Sequence, residues 1–328
     1  KINIGHLKIN FLGAQHDHGA LDPGSSDRAY QMDFIGHRGF PPLCSGFCCR
    51  TTIGRGLYRV KTRAGDTKGD AMKFGLYLST QWPEGADISH ELDNMIEQVR
   101  IARENGFSSV WMGQHYLVAP MQMMQVMPLM ARLAAEGEDM TFGTAVVLLS
   151  MLNPAVVAEE SATLDWITNG NFVLGVGMGY RDEEFQTLGV PKNQRVGRLE
   201  EGIEVVRRLW TEDIVVHNGK HYTVDGLGSS IKPKQPGGPP IWLGGQVPAA
   251  VARAARLGDA WMAAPTDSID RVARCVDIFR EARAEAGLPM PESMPITREC
   301  CIRNTRPGAL DACRKTLLEK YKAYASWG

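Results

Sequence analysis

The chain has 328 residues and a formal net charge of −1, a length that suits one large α/β barrel or two ordinary domains. The balanced charge gives no reason to expect nucleic acid or an anionic membrane surface as a partner. No apolar run approaches the roughly 20 residues that a membrane span needs, and the amino end has no signal-peptide pattern. The sequence therefore favours a cytoplasmic protein that does not cross a membrane.

Neither the cysteines nor the histidines form a pattern typical of metal binding. The adjacent pairs Cys48–Cys49 and Cys300–Cys301 are part of no C-x-x-C motif, which predicts reduced thiols rather than disulfides or a zinc site. His217 and His221 flank the turn Asn218-Gly219 with no acidic residue beside them, which indicates exposed side chains of a hairpin. We predict no metal site.

Residues 1–71 differ in composition from the rest of the chain. They contain ten Lys and Arg residues and six Asp but no Glu, and they hold four of the eight histidines, His16 and His18 among them. No helical or strand periodicity extends over a useful length. Because Met72 is followed at once by a credible first strand, we expect residues 1–71 to be a disordered or non-native amino-terminal extension and residues 72–328 to form the folded domain.

From residue 72 onward, strands and helices alternate. The helix that begins at Asn153-Pro154 has a favourable capping residue followed by proline at its first position. Regular alternation with right-handed crossovers closes most simply as a (β/α)8 TIM barrel, and a doubly wound open sheet is the alternative. Only seven strands are predicted, so we expect a barrel that lacks its eighth, carboxyl-terminal strand. The seven lie at 73–79, 109–113, 140–149, 172–176, 241–245, 259–263 and 296–303.

The most informative stretch is Asn171–Tyr180, a buried strand that ends in alternating glycines. Gly175, Gly177 and Gly179 let a ligand approach the main chain and permit backbone angles that turn N–H groups toward an anion. A dinucleotide-binding fingerprint would need glycine where Tyr180 stands. The pattern therefore favours a phosphate site over a Rossmann site, and a glycine-rich strand end that only turns a corner is the alternative.

Five segments of the chain carry a resemblance to a known family: Phe74–Leu78, Gly106–His115, Asn153–Asp165, Gly175–Phe185 and Pro239–Gly245. Together they resemble the bacterial luciferase-like monooxygenases, a family that includes FMN-dependent monooxygenases and deazaflavin F420-dependent oxidoreductases. The resemblance covers Met72 to about Trp327 and implies a (β/α)8 barrel of the luciferase-like type. Its most specific part is Pro-Pro-Ile-Trp-Leu-Gly-Gly, followed by Arg-Ala-Ala-Arg-Leu-Gly-Asp-Ala-Trp.

The resemblance also implies roles for individual residues. His115 matches the family's active-site histidine, and Gln114 stands where many members have an acid. A non-proline cis peptide is implied within Val146–Leu148, beside the flavin ring. Arg181 is the fixed charge nearest to the phosphate-side segments, with surface pairing as its alternative. The implied cofactor-binding residues are Val147, Leu148, Asn153, Gly177, Gly179, Tyr180, Gly244, Gly245 and Gln246, of which Asn153 is explained equally well as a helix cap.

The function implied by the resemblance is oxygenation of a small organic substrate with O2. The enzyme would use reduced FMN supplied by a separate flavin reductase, and family members are commonly homodimers. The alternative within enzymes is hydride transfer with coenzyme F420, as in methylenetetrahydromethanopterin reductases. A non-catalytic flavin-binding relative and an unrelated barrel that acts on a phosphorylated metabolite are further alternatives.

We expect the natural protein to begin at Met72, because the composition changes there and the first strand follows directly. Mass spectrometry of the amino terminus of protein purified from its native source checks this. A peptide from Phe40–Arg50 in that material would contradict it.

Overall fold

The computed structural model describes residues 6–10, 29–31, 48–50, 72–292 and 294–326. The strands in chain order are β1 (His6–Asn10), β2 (Ala29–Gln31), β3 (Cys48–Arg50), β4 (Lys73–Leu78), β5 (Gln81–Trp82), β6 (Ser109–Met112), β7 (Gln122–Met123), β8 (Thr141–Thr144), β9 (Phe172–Val176), β10 (Val215–Asn218), β11 (Thr223–Leu227), β12 (Ile241–Gly244), β13 (Ala260–Met262) and β14 (Pro295–Glu299). The helices are α1 (Ile88–Glu104), α2 (Val126–Gly137), α3 (Pro154–Ile167), α4 (Asp182–Thr187), α5 (Arg195–Thr211), α6 (Pro248–Leu257), α7 (Ile269–Glu285) and α8 (Arg306–Ser326).

Eight strands form one parallel sheet in the order β13-β12-β9-β8-β6-β4-β1-β14. A parallel bridge between Ala263 and Ile296 joins the two ends of that order, so the sheet curls back onto itself. Helices follow the strands along the chain, as the right-handed crossover of parallel strands requires. The predicted TIM-barrel architecture is thereby confirmed. None of the described helices is both long and apolar enough to cross a bilayer.

Residues 72–299 contribute seven strands of this sheet, as predicted, and β1 takes the eighth position. Leu7 pairs in register with Phe74 on one side and with Ile296 on the other. No strand was predicted at His6–Asn10, because residues 1–71 show no strand periodicity over a useful length. Most of residues 1–71, including His16 and His18, lie outside the described part of the chain, so their assignment as an extension stays a prediction.

Two predicted strands are shorter than expected. The third ends at Thr144, where a cis peptide bond between Ala145 and Val146 interrupts it, and a short 3-10 helix follows at Leu149–Met151. The seventh ends at Glu299, so Cys300 and Cys301 lie beyond the carboxyl end of the strand. In both cases the prediction was too long because apolar residues typical of a strand continue beyond the end of the regular ladder of backbone hydrogen bonds.

Helix starts follow the capping signals in the sequence. The side chain of Asn153 accepts a hydrogen bond from the N–H of Ala155 at 2.9 Å, ahead of α3. At the start of α1, the side chain of Asp87 accepts hydrogen bonds from the N–H groups of Ser89 and His90. Each cap satisfies N–H groups that have no partner inside the helix.

The barrel interior is filled by large side chains. Trp111 and Trp242 are stacked, with ring centroids 4.8 Å apart, and the indole N–H of Trp111 donates to Ser109 Oγ at 2.8 Å. A Cβ atom placed on Gly143 would lie 2.2 Å from the Trp111 ring. Glycine is therefore needed on β8 because the tryptophan ring occupies the space of a side chain.

β8 and β9 approach each other closely at Thr144 and Gly175. The Thr144 hydroxyl donates to the carbonyl oxygen of Gly175 at 2.7 Å and accepts the N–H of Gly175 at 2.8 Å. A Cβ atom on Gly175 would lie only 1.9 Å from the backbone oxygen of Thr144. Residue 175 therefore has no room for a side chain.

We expect Gly175→Ala to destabilise the protein by about 2 kcal/mol or more, because the added methyl group must displace backbone. The matched control is Gly202→Ala on α5, where the nearest atom is a Leu149 side-chain carbon at 3.3 Å. There alanine's helix propensity offsets a small packing shift, so the free energy of unfolding should change by less than about 1 kcal/mol. Urea denaturation of both variants checks this, and equal losses would contradict it.

Candidate active site

Almost all the predicted site residues lie at the carboxyl-terminal end of the barrel. His115 follows β6, residues 147–148 follow β8, Gly177–Tyr180 follow β9, and Gly244–Gln246 include the end of β12. Parallel strands point the same way, so the segments that follow them share one mouth of the barrel. In barrels of this kind that mouth is where ligands bind.

His115 and Tyr180 are in contact at this mouth. Their ring centroids are 5.7 Å apart and their planes are nearly perpendicular, at 82°. The imidazole is largely enclosed, whereas Tyr180 is 40% exposed. Burial raises the pKa of the Tyr180 phenol, and the charge of Glu184 adds to the effect, so the hydroxyl stays protonated at neutral pH. The structure thus brings the predicted histidine and the glycine-rich turn together.

Both glycine segments converge on Val146. A Cβ atom on Gly177 would lie 2.6 Å from one Val146 methyl carbon, and one on Gly244 would lie 3.3 Å from the other. The cis peptide bond that precedes Val146 is one residue toward the amino end of the range given by the sequence. The segments after β8, β9 and β12 therefore meet around a single side chain.

Tyr77, at the mouth of β4, was not identified from the sequence. Its hydroxyl donates to the carbonyl oxygen of Ala145 at 3.1 Å, beside the cis peptide bond. Burial raises the pKa of Tyr77 to about 12, and the nearby Glu299 and Tyr180 add to the rise. The phenol is therefore a neutral donor at physiological pH, and it fixes the position of the Ala145 carbonyl group.

Two arginines from distant helices lie close to the glycine segments, one through Ser150 and one through direct contact with Gln246. Arg198 on α5 donates to the carbonyl oxygen of Ser150 at 2.7 Å, and the Ser150 hydroxyl donates to the Met178 carbonyl oxygen at 2.6 Å. Arg271 on α7 donates to the Gln246 carbonyl oxygen at 2.7 Å. The sequence indicated only Arg181 as a nearby cation, because helix packing alone brings the other two to the site.

Arg181 is buried, with 6% of its surface exposed, so surface pairing does not describe it. Its guanidinium donates to the Tyr116 carbonyl oxygen at 3.0 Å and lies 3.7 Å from Glu184 Oε1. The same Glu184 oxygen accepts the Tyr116 N–H at 2.7 Å and lies 3.0 Å from His115 Nδ1. Glu184 is a functional candidate that the sequence reasoning missed, although it lies within the matched segment Gly175–Phe185.

Gln114 is buried and connects the loop after β6 with the loop after β8. Its side-chain oxygen accepts the N–H of Leu148 at 3.0 Å, and its amide group donates to the Tyr116 hydroxyl at 2.9 Å. A carboxylate at this position could accept the first hydrogen bond but could not donate the second. The amide therefore serves to hold the two loops together.

Three predicted cofactor-binding residues, Asn153, Val147 and Leu148, differ from the others in the surroundings of their side chains. Asn153 is exposed and caps α3 through Ala155, which is the alternative that the sequence left open. The side chains of Val147 and Leu148 are buried in the hydrophobic core. Their backbone N–H groups donate to the Gly175 carbonyl oxygen and to the Gln114 side chain, so neither the side chains nor the N–H groups of these two residues are free in this structure.

The hairpin histidines are not exposed as predicted. His217 Nε2 lies 3.2 Å from Glu201 Oε1, and the backbone N–H of His221 donates to the same carboxylate at 3.0 Å. The acidic partner comes from α5, which is distant in sequence. Within the described part of the chain, no group of three or more His, Cys, Asp or Glu side chains is placed to hold a metal ion.

Comparison with known proteins gives the family. Residues 72–327 match the family model of the luciferase-like monooxygenases, and the chain belongs to that family. The monooxygenase RslO1 from Streptomyces bottropensis has the same fold, with a TM-score of 0.70 and 25% identity, covering 78% of this chain and 79% of the other.

Two curated relatives differ in cofactor. The oxygenase component of a flavin-dependent trigonelline monooxygenase from Acinetobacter baylyi is 28% identical over 54% of this chain and 50% of its own. An F420-dependent glucose-6-phosphate dehydrogenase from Amycolatopsis mediterranei is 31% identical over 52% of each chain. The chain thus spans about half the length of these curated relatives.

We expect Arg181→Met to destabilise the protein by about 2 kcal/mol, because a buried carbonyl group loses its donor and Glu184 loses a neighbouring cation. The control is Arg280→Met, whose guanidinium is 44% exposed and pairs with Asp277 on the surface of α7. Such a pair contributes little. Urea denaturation measures both variants, and a loss of stability no larger at position 181 than at 280 would show that the buried contacts are unimportant.

Proposed function

We propose that this protein is a flavin-dependent oxidoreductase of the two-component monooxygenase type. It would take reduced FMN from a separate flavin reductase and oxygenate a small organic substrate with O2. The observation that carries the proposal is the convergence of His115, Tyr180 and the glycine segments at one mouth of the barrel. The family match and the flavin-dependent relative support it.

The residues at this mouth suit the phosphate end of a flavin nucleotide. Gly177 and Gly179 after β9, and Gly244 and Gly245 at the end of β12, contribute no side chain of their own. The side chains of Val146, Met151 and Ala250 pack into the space beside three of them, Gly177, Gly179 and Gly245. Gly179 has φ +71°, a backbone conformation that orients successive N–H groups toward an anion. The amino end of α6 follows the second segment and adds partial positive charge.

The residues around Val146 suit the ring of the cofactor. Val146 offers an apolar surface beside the Tyr77 hydroxyl, and the His115 imidazole lies with Tyr180 on the β6 and β9 side. When bound, the flavin supplies the redox chemistry with O2, and the protein contributes binding and orientation. His115 would hold or move a proton at one of its ring nitrogens, since imidazole changes charge near neutral pH.

The partners follow from the same proposal. An oxygenase component needs a separate enzyme that delivers reduced flavin, so a reductase is the expected protein partner. We further propose a cytoplasmic homodimer, by similarity to the family. The substrate is a small organic molecule whose structure is selected by the loops at the barrel mouth.

Hydride transfer with coenzyme F420 is the second candidate. It is favoured by the 31% identity to an F420-dependent dehydrogenase. The same barrel mouth and glycine segments would serve either cofactor, since both carry a tricyclic ring and a phosphorylated tail. The two functions differ in the electron acceptor and not in the scaffold.

Titration of the purified full chain with FMN, with FMNH2 under anaerobic conditions and with F420, followed by absorbance and fluorescence, separates these candidates. We expect saturable binding that is tightest for FMNH2, because the proposed enzyme receives its cofactor already reduced. Preferential binding of F420 would favour the second candidate. Failure to bind any of the three would remove both.

We expect His115→Ala to slow the oxidation of bound FMNH2 by O2 about 100-fold while changing its dissociation constant less than about threefold, since general acid–base groups act mainly on turnover. The control is His90→Ala, which replaces an exposed histidine on α1. Stopped-flow absorbance measures the rates. Unchanged rates in the His115 variant would favour a non-catalytic flavin-binding protein.

A further inference from the structure

Glu184 occupies an unusual position for a carboxylate. It has no exposed surface, and it lies in the first turn of α4 with Arg181 immediately before that helix. Charged carboxyl groups are rarely fully buried unless they are paired and hydrogen-bonded. The contacts of Glu184 should therefore explain why it is there.

Glu184 lies beside the Arg181 guanidinium, 3.7 Å from it, and it contacts the dipeptide His115–Tyr116 in the loop after β6. Glu184 Oε1 accepts the Tyr116 N–H at 2.7 Å and lies 3.0 Å from His115 Nδ1. Arg181 donates to the Tyr116 carbonyl oxygen at 3.0 Å. A single turn of chain after β9 thus binds both the N–H and the carbonyl oxygen of Tyr116, together with one nitrogen of the His115 ring.

The contact with Nδ1 determines the state of the ring. An ionised carboxylate only accepts hydrogen bonds, so Nδ1 must carry the proton in this contact. In the neutral ring, Nε2 is then the acceptor. Free imidazole of histidine in water carries its proton mainly on Nε2, so the carboxylate reverses the ordinary preference.

A purely structural role does not explain the charge. The second oxygen, Oε2, is buried and has no hydrogen-bond partner among the described residues. A neutral amide could accept the Tyr116 N–H without leaving a charged oxygen in this position, and such an unsatisfied group lowers stability. Buried groups that lower stability in this way are concentrated at functional sites.

We propose that Glu184 is a positioning residue that holds the His115 ring in a fixed orientation and in its Nδ1–H tautomer. It acts through His115 and touches neither cofactor nor substrate. The relevance of this orientation to turnover rests on the proposed function, in which His115 handles a proton at the flavin. The orientation itself is a property of the protein without any ligand.

The first test uses 15N-histidine NMR on the full chain at a pH where the His115 ring is neutral. His115→Asn identifies the His115 signals by their loss. We expect the wild-type ring in the Nδ1–H tautomer and Glu184→Ala in the ordinary Nε2–H tautomer. Glu184→Gln should keep the Nδ1–H tautomer, because its amide oxygen can accept both hydrogen bonds.

The matched control is Glu183→Ala, which removes the adjacent carboxylate of the same helix. The Glu183 side chain is 70% exposed, and its Oε2 lies 4.0 Å from Arg181 Nε. The tautomer of His115 should not change in this variant. The proposal is overturned if the wild-type ring is in the Nε2–H form. It is also overturned if a folded Glu184→Ala protein keeps the Nδ1–H form. The wild-type measurement decides even if Glu184→Ala does not fold.

The second test separates this proposal from the proposed function. Glu184→Ala should slow oxidation of bound FMNH2 by O2 about tenfold or more, with Glu184→Gln recovering part of the rate and the dissociation constant of FMNH2 changing less than about threefold. A larger loss of FMNH2 affinity than of rate would contradict a positioning role. If wild-type protein binds no flavin while the Nδ1–H tautomer is found, the proposed function fails and the orienting role of Glu184 stands.

Discussion

The close approach of β8 and β9 at Thr144 and Gly175 is the constraint on which the site depends. The Thr144 hydroxyl donates to the carbonyl oxygen of Gly175 and accepts its N–H, and β8 ends at this residue. Beyond this point the chain from β8 is free to turn through Ala145 and Val146. Its next hydrogen bond to β9 comes from the N–H of Val147, which donates to the Gly175 carbonyl oxygen at 2.8 Å. Val146 is thereby left at the centre of the barrel mouth.

The second organising feature is the connection between the loop after β6 and the chain after β9. Arg181 and Glu184 hold His115–Tyr116 from one side, and Gln114 connects the same loop to Leu148. These hydrogen bonds are buried or partly buried, where they are less weakened by competition with water. A loop that carries a candidate catalytic side chain is in this way held by two neighbouring segments of the barrel, those after β8 and β9.

The electrostatics of the barrel mouth also follow from its architecture. The glycine segments have no cation of their own in sequence, and the structure supplies Arg198 and Arg271 from α5 and α7. Both guanidinium groups bind backbone carbonyl oxygens of the segments they approach. Their contribution is therefore to fix those loops as well as to add positive charge at the barrel mouth.

The sequence by itself determined the family, the alternation of strands and helices and the caps of the helices, because these depend on local patterns such as Asn153-Pro154. It also identified His115 and the glycine segments. Only the tertiary structure decided that Tyr77, Glu184 and Arg198 belong to the site, and that β1 fills the eighth position in the sheet. Local sequence carries no information about contacts such as that between residues 115 and 184, which arise only when parallel strands close into a barrel and bring their ends together.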